Sequence, residues 1–353
     1  MKILINDLVI KEKLCNMNCD YCITKTNTLK KNDFFCKKYE YFEGSELQKN
    51  VDMVTNRLYE RFKPAILKVS GGEILLVKGI VDYLTKHCRN YARVQLLTNG
   101  LLLSHETIDK LNDIRNINLQ ISLDHHTLAG NFYRTKDQKT LSTILNNIDY
   151  AISKGLPVEI NCVLNDRNTY NICDFAKYLL NYGSSVLLLP FPVRGSNREL
   201  YFPQKWQLSG IEKLIDDYKI YKNILPPKIY LETLYEFLMF GKRKRRCFFS
   251  KVAIGSFDNG YITPCSNYWF STFGSVLNDN SEDLFRKIET ANIYNVLCSS
   301  QHQLNACLQC FTPWEIINLY LENMITIEEL KKIHLYSFEG IETYLKQIKG
   351  GKK

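Results

Sequence analysis

Cys15-Asn16-Met17-Asn18-Cys19-Asp20-Tyr21-Cys22 follows closely on an apolar run at residues 3–10, and the two together decide how this chain is read. The run Ile3-Leu4-Ile5-Asn6-Asp7-Leu8-Val9-Ile10 is rich in β-branched residues and predicts a strand. The cysteines, spaced C-x3-C-x2-C, then lie on the loop at that strand's C-terminal end. In parallel α/β folds this edge is where ligands bind. Outward from the loop, further strands are predicted at 65–69, 92–97, 117–123, 158–164 and 185–189. Amphipathic stretches lie between them, at about 45–61, 77–88, 105–114, 138–154 and 171–182. The first is apolar at Leu47, Val51, Val54 and Leu58, which is helical spacing. Ser104 before His105-Glu106-Thr107 predicts a helix N-cap. Strands alternating with helices give an α/β fold with a parallel sheet and right-handed crossovers. Periodicity alone leaves open whether that sheet stays flat or curls into a partial barrel.

The pattern changes after Gly195. Residues 196–246 carry two helical segments split by Leu225-Pro226-Pro227, then the basic run Lys242-Arg243-Lys244-Arg245-Arg246. That run reads as a solvated linker, or as a guide for an anionic substrate or acidic peptide. A hairpin is expected from 252–254, the turn Asp258-Asn259-Gly260, and 261–263, because Asn-Gly supplies the positive dihedrals of tight turns. The tail after Cys310 is helical, with Thr326-Ile327-Glu328-Glu329 as a capping box. At 353 residues the chain suits one large domain plus a smaller one. No stretch is apolar and long enough to cross a bilayer, and Asn6, Asp7, Lys11, Glu12 and Lys13 interrupt any secretory signal. A cytoplasmic protein with no membrane partner is expected. The net charge of +9 permits an acidic partner without requiring nucleic acid, and no nucleic-acid partner is expected.

Twelve cysteines in a cytoplasmic chain do not read as a disulfide framework, and their clustering points to metal or redox chemistry. Three thiolates at Cys15, Cys19 and Cys22 suit a 4Fe–4S cluster with one iron left open. Structural zinc would want a fourth local ligand, and none is obvious. A second set, Cys247, Cys265, Cys307 and Cys310, brackets the hairpin and closes on a distant C-x2-C. Four thiolates saturate either a cluster or a zinc ion. Cys36, Cys88, Cys162 and Cys173 are isolated and read as small buried hydrophobes. Cys162, on the fifth strand, is alternatively a hydrogen donor. Cys298 is an extra thiol or an alternative ligand. His125-His126 are polar loop residues, with His125 as the alternative general base.

The first loop resembles the signature of the radical S-adenosylmethionine superfamily, with aromatic Tyr21 before the last cysteine. Ser70-Gly71-Gly72-Glu73 after the second strand looks like that family's motif for the methionyl amino group, with Ile74 in place of the usual proline. Thr98-Asn99-Gly100 ends the third strand. Ile121-Ser122-Leu123-Asp124 ends the fourth, and Arg134 follows ten residues on. The resemblance covers residues 1–195. It implies a partial (β/α)6 TIM-like barrel, a 4Fe–4S cluster on Cys15, Cys19 and Cys22, and S-adenosyl-L-methionine held by Tyr21, Gly71, Gly72, Glu73, Asn99, Ser122, Asp124 and Arg134. Within that set Arg134 would pair the methionyl carboxylate. The second cysteine set resembles the twitch domain, the shortened form of the SPASM domain. It implies one auxiliary 4Fe–4S cluster on Cys247, Cys265, Cys307 and Cys310. The expected organisation is a core at 1–195, a helical linker at 196–246, an auxiliary-cluster domain at 247–312 and C-terminal helices at 313–353.

Two activities follow from the resemblance. One is modification of a ribosomally synthesised peptide by crosslinking, epimerisation or oxidation. The basic run and Arg194, after Pro190-Phe191-Pro192, would steer an acidic leader. The short segment before the first strand leaves no fused recognition domain, so a separate peptide-recognition protein is expected beside an external one-electron reductant such as flavodoxin or ferredoxin. The other activity is small-molecule dehydrogenation of an aminocyclitol or sugar alcohol. A non-enzymatic zinc or electron-transfer module is a third reading, and it would make the order of loop motifs accidental.

Overall fold

The β-branched runs assemble into a nine-stranded sheet in the computed structural model, which describes residues 2–26, 38–195, 198–269, 271–301 and 304–350. In chain order the first part comprises β1 (Ile5–Ile10), α1 (Ile23–Thr26), β2 (Glu40–Tyr41), α2 (Glu46–Phe62), β3 (Ile66–Gly71), β4 (Val77–Lys78) and α3 (Ile80–His87). Then come β5 (Arg93–Thr98), α4 (His105–Asn112), β6 (Ile117–Ser122), α5 (Gln138–Ser153), β7 (Val158–Leu164), α6 (Ile172–Leu179) and β8 (Val186–Pro192). The helix starts are set by side-chain caps. Ser45 Oγ accepts from Gln48 N at 3.1 Å, and Ser104 Oγ from Thr107 N at 3.2 Å. Leu47, Val51, Val54 and Leu58 form the buried stripe of α2, as their spacing requires.

The strand order β1-β3-β5-β6-β7-β8 is sequential and parallel throughout, with β2 and β4 paired separately. A doubly wound sheet reverses direction at a switch point; this one does not. Right-handed crossovers therefore place the connecting helices on one face, and the other face closes into a partial barrel. The expected α/β partial barrel is the observed fold. β8 runs further than predicted, through Pro190 and Pro192. It is an edge strand, where a missing N–H costs no ladder bond on the open side.

The second part adds α7 (Ser209–Asp216), α8 (Tyr218–Tyr221) and α9 (Lys228–Phe240), then β9 (Ala253–Phe257), β10 (Tyr261–Thr263) and β11 (Gly274–Ser275). The expected hairpin is β9–β10, yet β9 also pairs in parallel with β1, so the hairpin continues the barrel sheet. Its turn closes with Gly260 N donating to Phe257 O at 2.9 Å. Gly260 alone takes positive φ there, +84°, so the glycine rather than the Asn-Gly pair supplies the left-handed residue.

Helices α10 (Ser281–Thr290), α11 (Ile293–Leu297), α12 (Asn305–Leu308), α13 (Glu315–Leu321), α14 (Ile327–Lys331) and α15 (Ile341–Gly350) complete the chain. The Thr326 capping box opens α14. The turn after α14 closes the floor of the barrel. Leu335 N donates to Glu159 Oε1 at 2.8 Å, and Arg93 donates to Ser337 O at 2.7 Å. Among the described residues no helix is long and apolar enough to cross a membrane. Cys36 lies outside the described residues.

Candidate active site

The cysteine loop leaves the end of β1 and is clamped by the end of β3. Gly72 N donates to Lys11 O at 3.2 Å and Glu73 N to Leu14 O at 2.6 Å. A Cβ at Gly71 would stand 2.1 Å from Ile10 O, and one at Gly72 would stand 2.3 Å from Leu14 O. The glycine pair is thus demanded by backbone packed against backbone, a role the sequence reading gave to ligand approach. Cys15, Cys19 and Cys22 are half-buried at this edge. Burial pushes the Cys15 thiol up to about 12, and the charges of Glu73, Cys19 and Cys22 push the same way. Three thiols this close would ionise together only around a cation, and as donors they fit an iron cluster.

Glu73 is buried, and its carboxylate is anchored by the chain itself. Oε1 accepts from Leu75 N at 3.0 Å and Thr98 Oγ1 at 2.7 Å, and Oε2 accepts from Asn99 N at 2.7 Å. Desolvation raises its pKa, and the three donors oppose that rise. Asn99 Nδ2 donates to Asn16 Oδ1 at 2.7 Å, tying the third motif to the cysteine loop. Asp124 is fully buried. Its carboxylate accepts from Tyr21 Oη, from Val163 N at 3.0 Å, and from Arg134 Nε and a terminal guanidinium nitrogen at 3.3 Å each. The Arg134 guanidinium is therefore engaged by Asp124. Ser122 is half-buried at the end of β6, in register with Asn161. The motif residues named from the sequence thus gather at one end of the sheet.

Below that edge lies a cavity of about 180 Å³ inside the barrel, lined by polar groups that sequence reasoning missed. Asp7 (β1), Lys68 (β3), Gln120 (β6), Glu159 and Asn161 (β7) all face it, with Arg194 after β8. Their signal was available: single polar residues at alternate positions of otherwise apolar strands. The same alternation places one candidate. Asn161 lines the cavity, so Cys162 turns to the opposite face, where its buried thiol donates to Asp124 O at 3.2 Å. His125 is also placed away from the cavity. Its ring stacks on His126 at 4.5 Å and packs against Phe175, and burial lowers its pKa to about 4. Cys173 is buried and bonded to Gly210 O at 3.3 Å, while Cys88 is half-buried and bonded to Thr85 O at 3.1 Å.

Cys247, Cys265, Cys307 and Cys310 line one pocket, drawn from three separate places in the chain. Burial raises the Cys265 pKa, and charge on the other three thiols raises it further. Among the described residues no group of three His, Cys, Asp or Glu forms a ready metal-ion site. The four sulfurs match in number the corners of a cube that takes one thiolate per iron. Asn318 Nδ2 donates to Cys247 Sγ at 3.5 Å and to Glu315 Oε2 at 3.0 Å. The basic run is anchored here and is not a free linker. Arg243 pairs the buried Glu315 at 2.6 Å and donates from Nε to Cys310 O at 2.9 Å. Cys298 is buried beside Ser250 Oγ at 3.0 Å and is absent from the pocket lining. Asn267, Thr312 and Trp314 belong to both linings, so the four-thiol pocket and the barrel cavity share a wall.

Residues 12–179 match the family model described as "Radical SAM superfamily". GTP 3',8-cyclase of Staphylococcus haemolyticus is 28% identical over 172 residues, 46% of this chain and 48% of that protein. The chain thus aligns with about half the length of that curated relative. Streptococcus suis SuiB, solved with S-adenosylmethionine bound, superposes with a TM-score of 0.62 at 16% identity, covering 89% of this chain and 72% of SuiB. SuiB was also solved with its precursor peptide SuiA, at TM-score 0.60, 16% identity, and 84% and 67% coverage. The protein anSMEcpe with AdoMet bound superposes at TM-score 0.58 and 14% identity, covering 98% of this chain and all of that one. At these identities the solved structures share the fold with this chain.

Proposed function

Taking residues 12–179 as a radical S-adenosylmethionine domain, we propose that this chain modifies a peptide by hydrogen abstraction, with one auxiliary 4Fe–4S cluster beside the substrate. The family implies a 4Fe–4S cluster and S-adenosyl-L-methionine, and Cys15, Cys19 and Cys22 are the residues that would hold the cluster. When bound, that pair supplies one-electron cleavage of the sulfonium to methionine and a 5′-deoxyadenosyl radical that takes hydrogen from a substrate carbon.

The chain's own residues do the positioning. Gly71 and Gly72 allow β3 to press on the cysteine loop, and Glu73 presents a fixed carboxylate at the edge where a methionyl ammonium would sit. Tyr21, Asp124 and Arg134 lock the loop onto the end of β6. The strands and the floor at Leu335 wall the cavity, and a carbon radical formed there would need bulk water kept out.

The wall shared by the four-thiol pocket and the barrel cavity carries this reading. Cys247, Cys265, Cys307 and Cys310 would hold the second cluster within reach of a substrate in the barrel. The near full-length match to anSMEcpe, also solved with bound peptides, and the match to SuiB with its precursor peptide support a peptide as substrate. An external one-electron donor such as flavodoxin or ferredoxin would feed the first cluster, and a separate protein would recognise the leader. The small-molecule reading is favoured by one observation, the charged lining of the cavity at Lys68 and Arg194. GTP 3',8-cyclase relatives suggest a nucleotide as one candidate, and an aminocyclitol or sugar alcohol is another.

The test is anaerobic reconstitution with iron and sulfide, then S-adenosylmethionine and dithionite. Iron for two 4Fe–4S clusters and formation of 5′-deoxyadenosine are expected. Candidate peptides, GTP and aminocyclitols are then compared for stimulated turnover and a mass change. A mass change in GTP or an aminocyclitol alone would replace the peptide reading.

A further inference from the structure

Lys68 is a buried amine with no ion pair at contact distance: burial lowers its pKa, and the more distant carboxylates of Asp7 and Glu159 oppose that fall. It stands in the middle of β3, 8% exposed, with its Nζ 4.4 Å from the Trp314 ring centroid. Among the described residues it has neither an ion pair nor a hydrogen bond. Its register partner across the sheet, Asp7, does not come within ion-pair distance, and Asp7 Oδ1 is itself buried without a partner. Glu159, the other carboxylate of the cavity, is turned to the floor: Oε1 takes Leu335 N and Oε2 takes Gln95 Nε2 at 2.8 Å. Arg194 lines the same cavity, with one hydrogen bond, to Asn267 Oδ1 at 2.8 Å, and its guanidinium over the Phe191 ring. Two cations thus face the cavity against a single carboxylate free of the floor. A charge held in low dielectric is costly unless paired.

We propose that Lys68 and Arg194 together bind a carboxylate group of the substrate inside the barrel. This rests on the barrel cavity being the substrate site of the radical reaction. Arg194 offers planar paired donors that match a carboxylate, and Lys68 adds a point charge from the neighbouring wall. The Trp314 face behind Lys68 holds the ammonium by cation–π attraction until the anion arrives. Under the peptide reading the carboxylate belongs to an acidic side chain at or next to the modified residue. The peptide would then be chosen by charge deep in the barrel as well as by any leader.

The test is calorimetric titration of the reconstituted full chain, with S-adenosylmethionine present, using a short blocked glutamyl peptide. Its glutaminyl counterpart and inorganic phosphate serve as comparison probes. Saturable binding of the glutamyl peptide is expected, about tenfold or more tighter than the glutaminyl one, since charge-assisted bonds contribute about 1.5–3 kcal/mol. Lys68→Met and Arg194→Gln should each weaken it about tenfold, and Lys68→Arg should restore most of the loss. Equal affinity for the two peptides, unchanged binding by Lys68→Met, or saturable binding of phosphate alone would each overturn the proposal. Should Lys68→Met not fold, Arg194→Gln and the peptide pair still decide. Wild-type protein that makes 5′-deoxyadenosine yet ignores both peptides overturns this inference alone. Wild-type protein that makes none overturns the reading beneath it.

Discussion

The phenolic hydroxyl of Tyr21 donates to the buried carboxylate of Asp124, joining the cysteine loop to the end of β6 across 103 residues of chain. The other carboxylate oxygen takes Arg134 and Val163 N. Removing one donor differs from removing the counter-charge. Tyr21→Phe leaves one oxygen unsatisfied, which costs about 1–3 kcal/mol. Arg134→Leu strands a buried carboxylate and costs about 3–5 kcal/mol. Thermal and urea midpoints should fall in the order wild type, Tyr21→Phe, Arg134→Leu. The reverse order would contradict the network as described.

Gly72→Ala places a methyl 2.3 Å from Leu14 O, in rigid backbone and not in a side chain able to move aside. The cysteine loop must shift away from β3. Expected are retained far-UV circular dichroism, at least tenfold less 5′-deoxyadenosine and weaker cluster absorbance. A variant with wild-type turnover would show that the loop tolerates displacement.

Cys19→Ala should abolish S-adenosylmethionine cleavage, because two thiolates do not hold the first cluster. Cys310→Ala should lower iron content by about one cluster and leave some uncoupled cleavage. It would also loosen the wall that Thr312 and Trp314 contribute to the barrel cavity. Iron analysis and product chromatography read both variants. Unchanged iron in Cys310→Ala would remove the auxiliary cluster from the proposal.

His125 is held neutral by burial, with its pKa lowered to about 4 from 6.5. The unfolded chain binds this proton first as pH falls. The contribution of His125 is therefore whole above pH 6.5 and is lost as pH drops toward 4, at a slope of up to about 1.4 kcal/mol per pH unit. Burial also raises the carboxylates of Asp7, Glu73, Asp124 and Glu159, so the difference between wild type and His125→Asn across pH 6.5 to 5, and not the wild-type slope alone, reads this histidine. Urea midpoints across that window should fall for wild type and fall less steeply for His125→Asn. Equal slopes would place the proton elsewhere.

The C-x3-C-x2-C loop, the Gly-Gly-Glu motif and the strand–helix alternation are all legible in the sequence, because each depends on neighbours close along the chain. Strand bounds were missed mainly at β8, where Pro190 and Pro192 suggested an early stop and only the edge position permits them. The two catalytic candidates both stand away from the cavity lining, for one shared reason. Cys162 and His125 lie near the right strand ends, but which face a side chain takes depends on register and on what packs behind it. The polar lining at Asp7, Lys68 and Glu159 went unnoticed although its alternation was visible, since its meaning required knowing that the inward face of the sheet encloses space.

What the order of residues determined by itself was the thiol spacing, the caps and the run of parallel strands, since these are written in local chemistry. Tertiary structure alone decided that β9 would join β1, that the thiols of Cys247, Cys265, Cys307 and Cys310 would meet in one pocket, and that Lys68 would lie buried against Trp314 with no ion pair. Those outcomes depend on how the sheet curls and which segment closes its floor, a balance of long-range packing that no short stretch of chain contains.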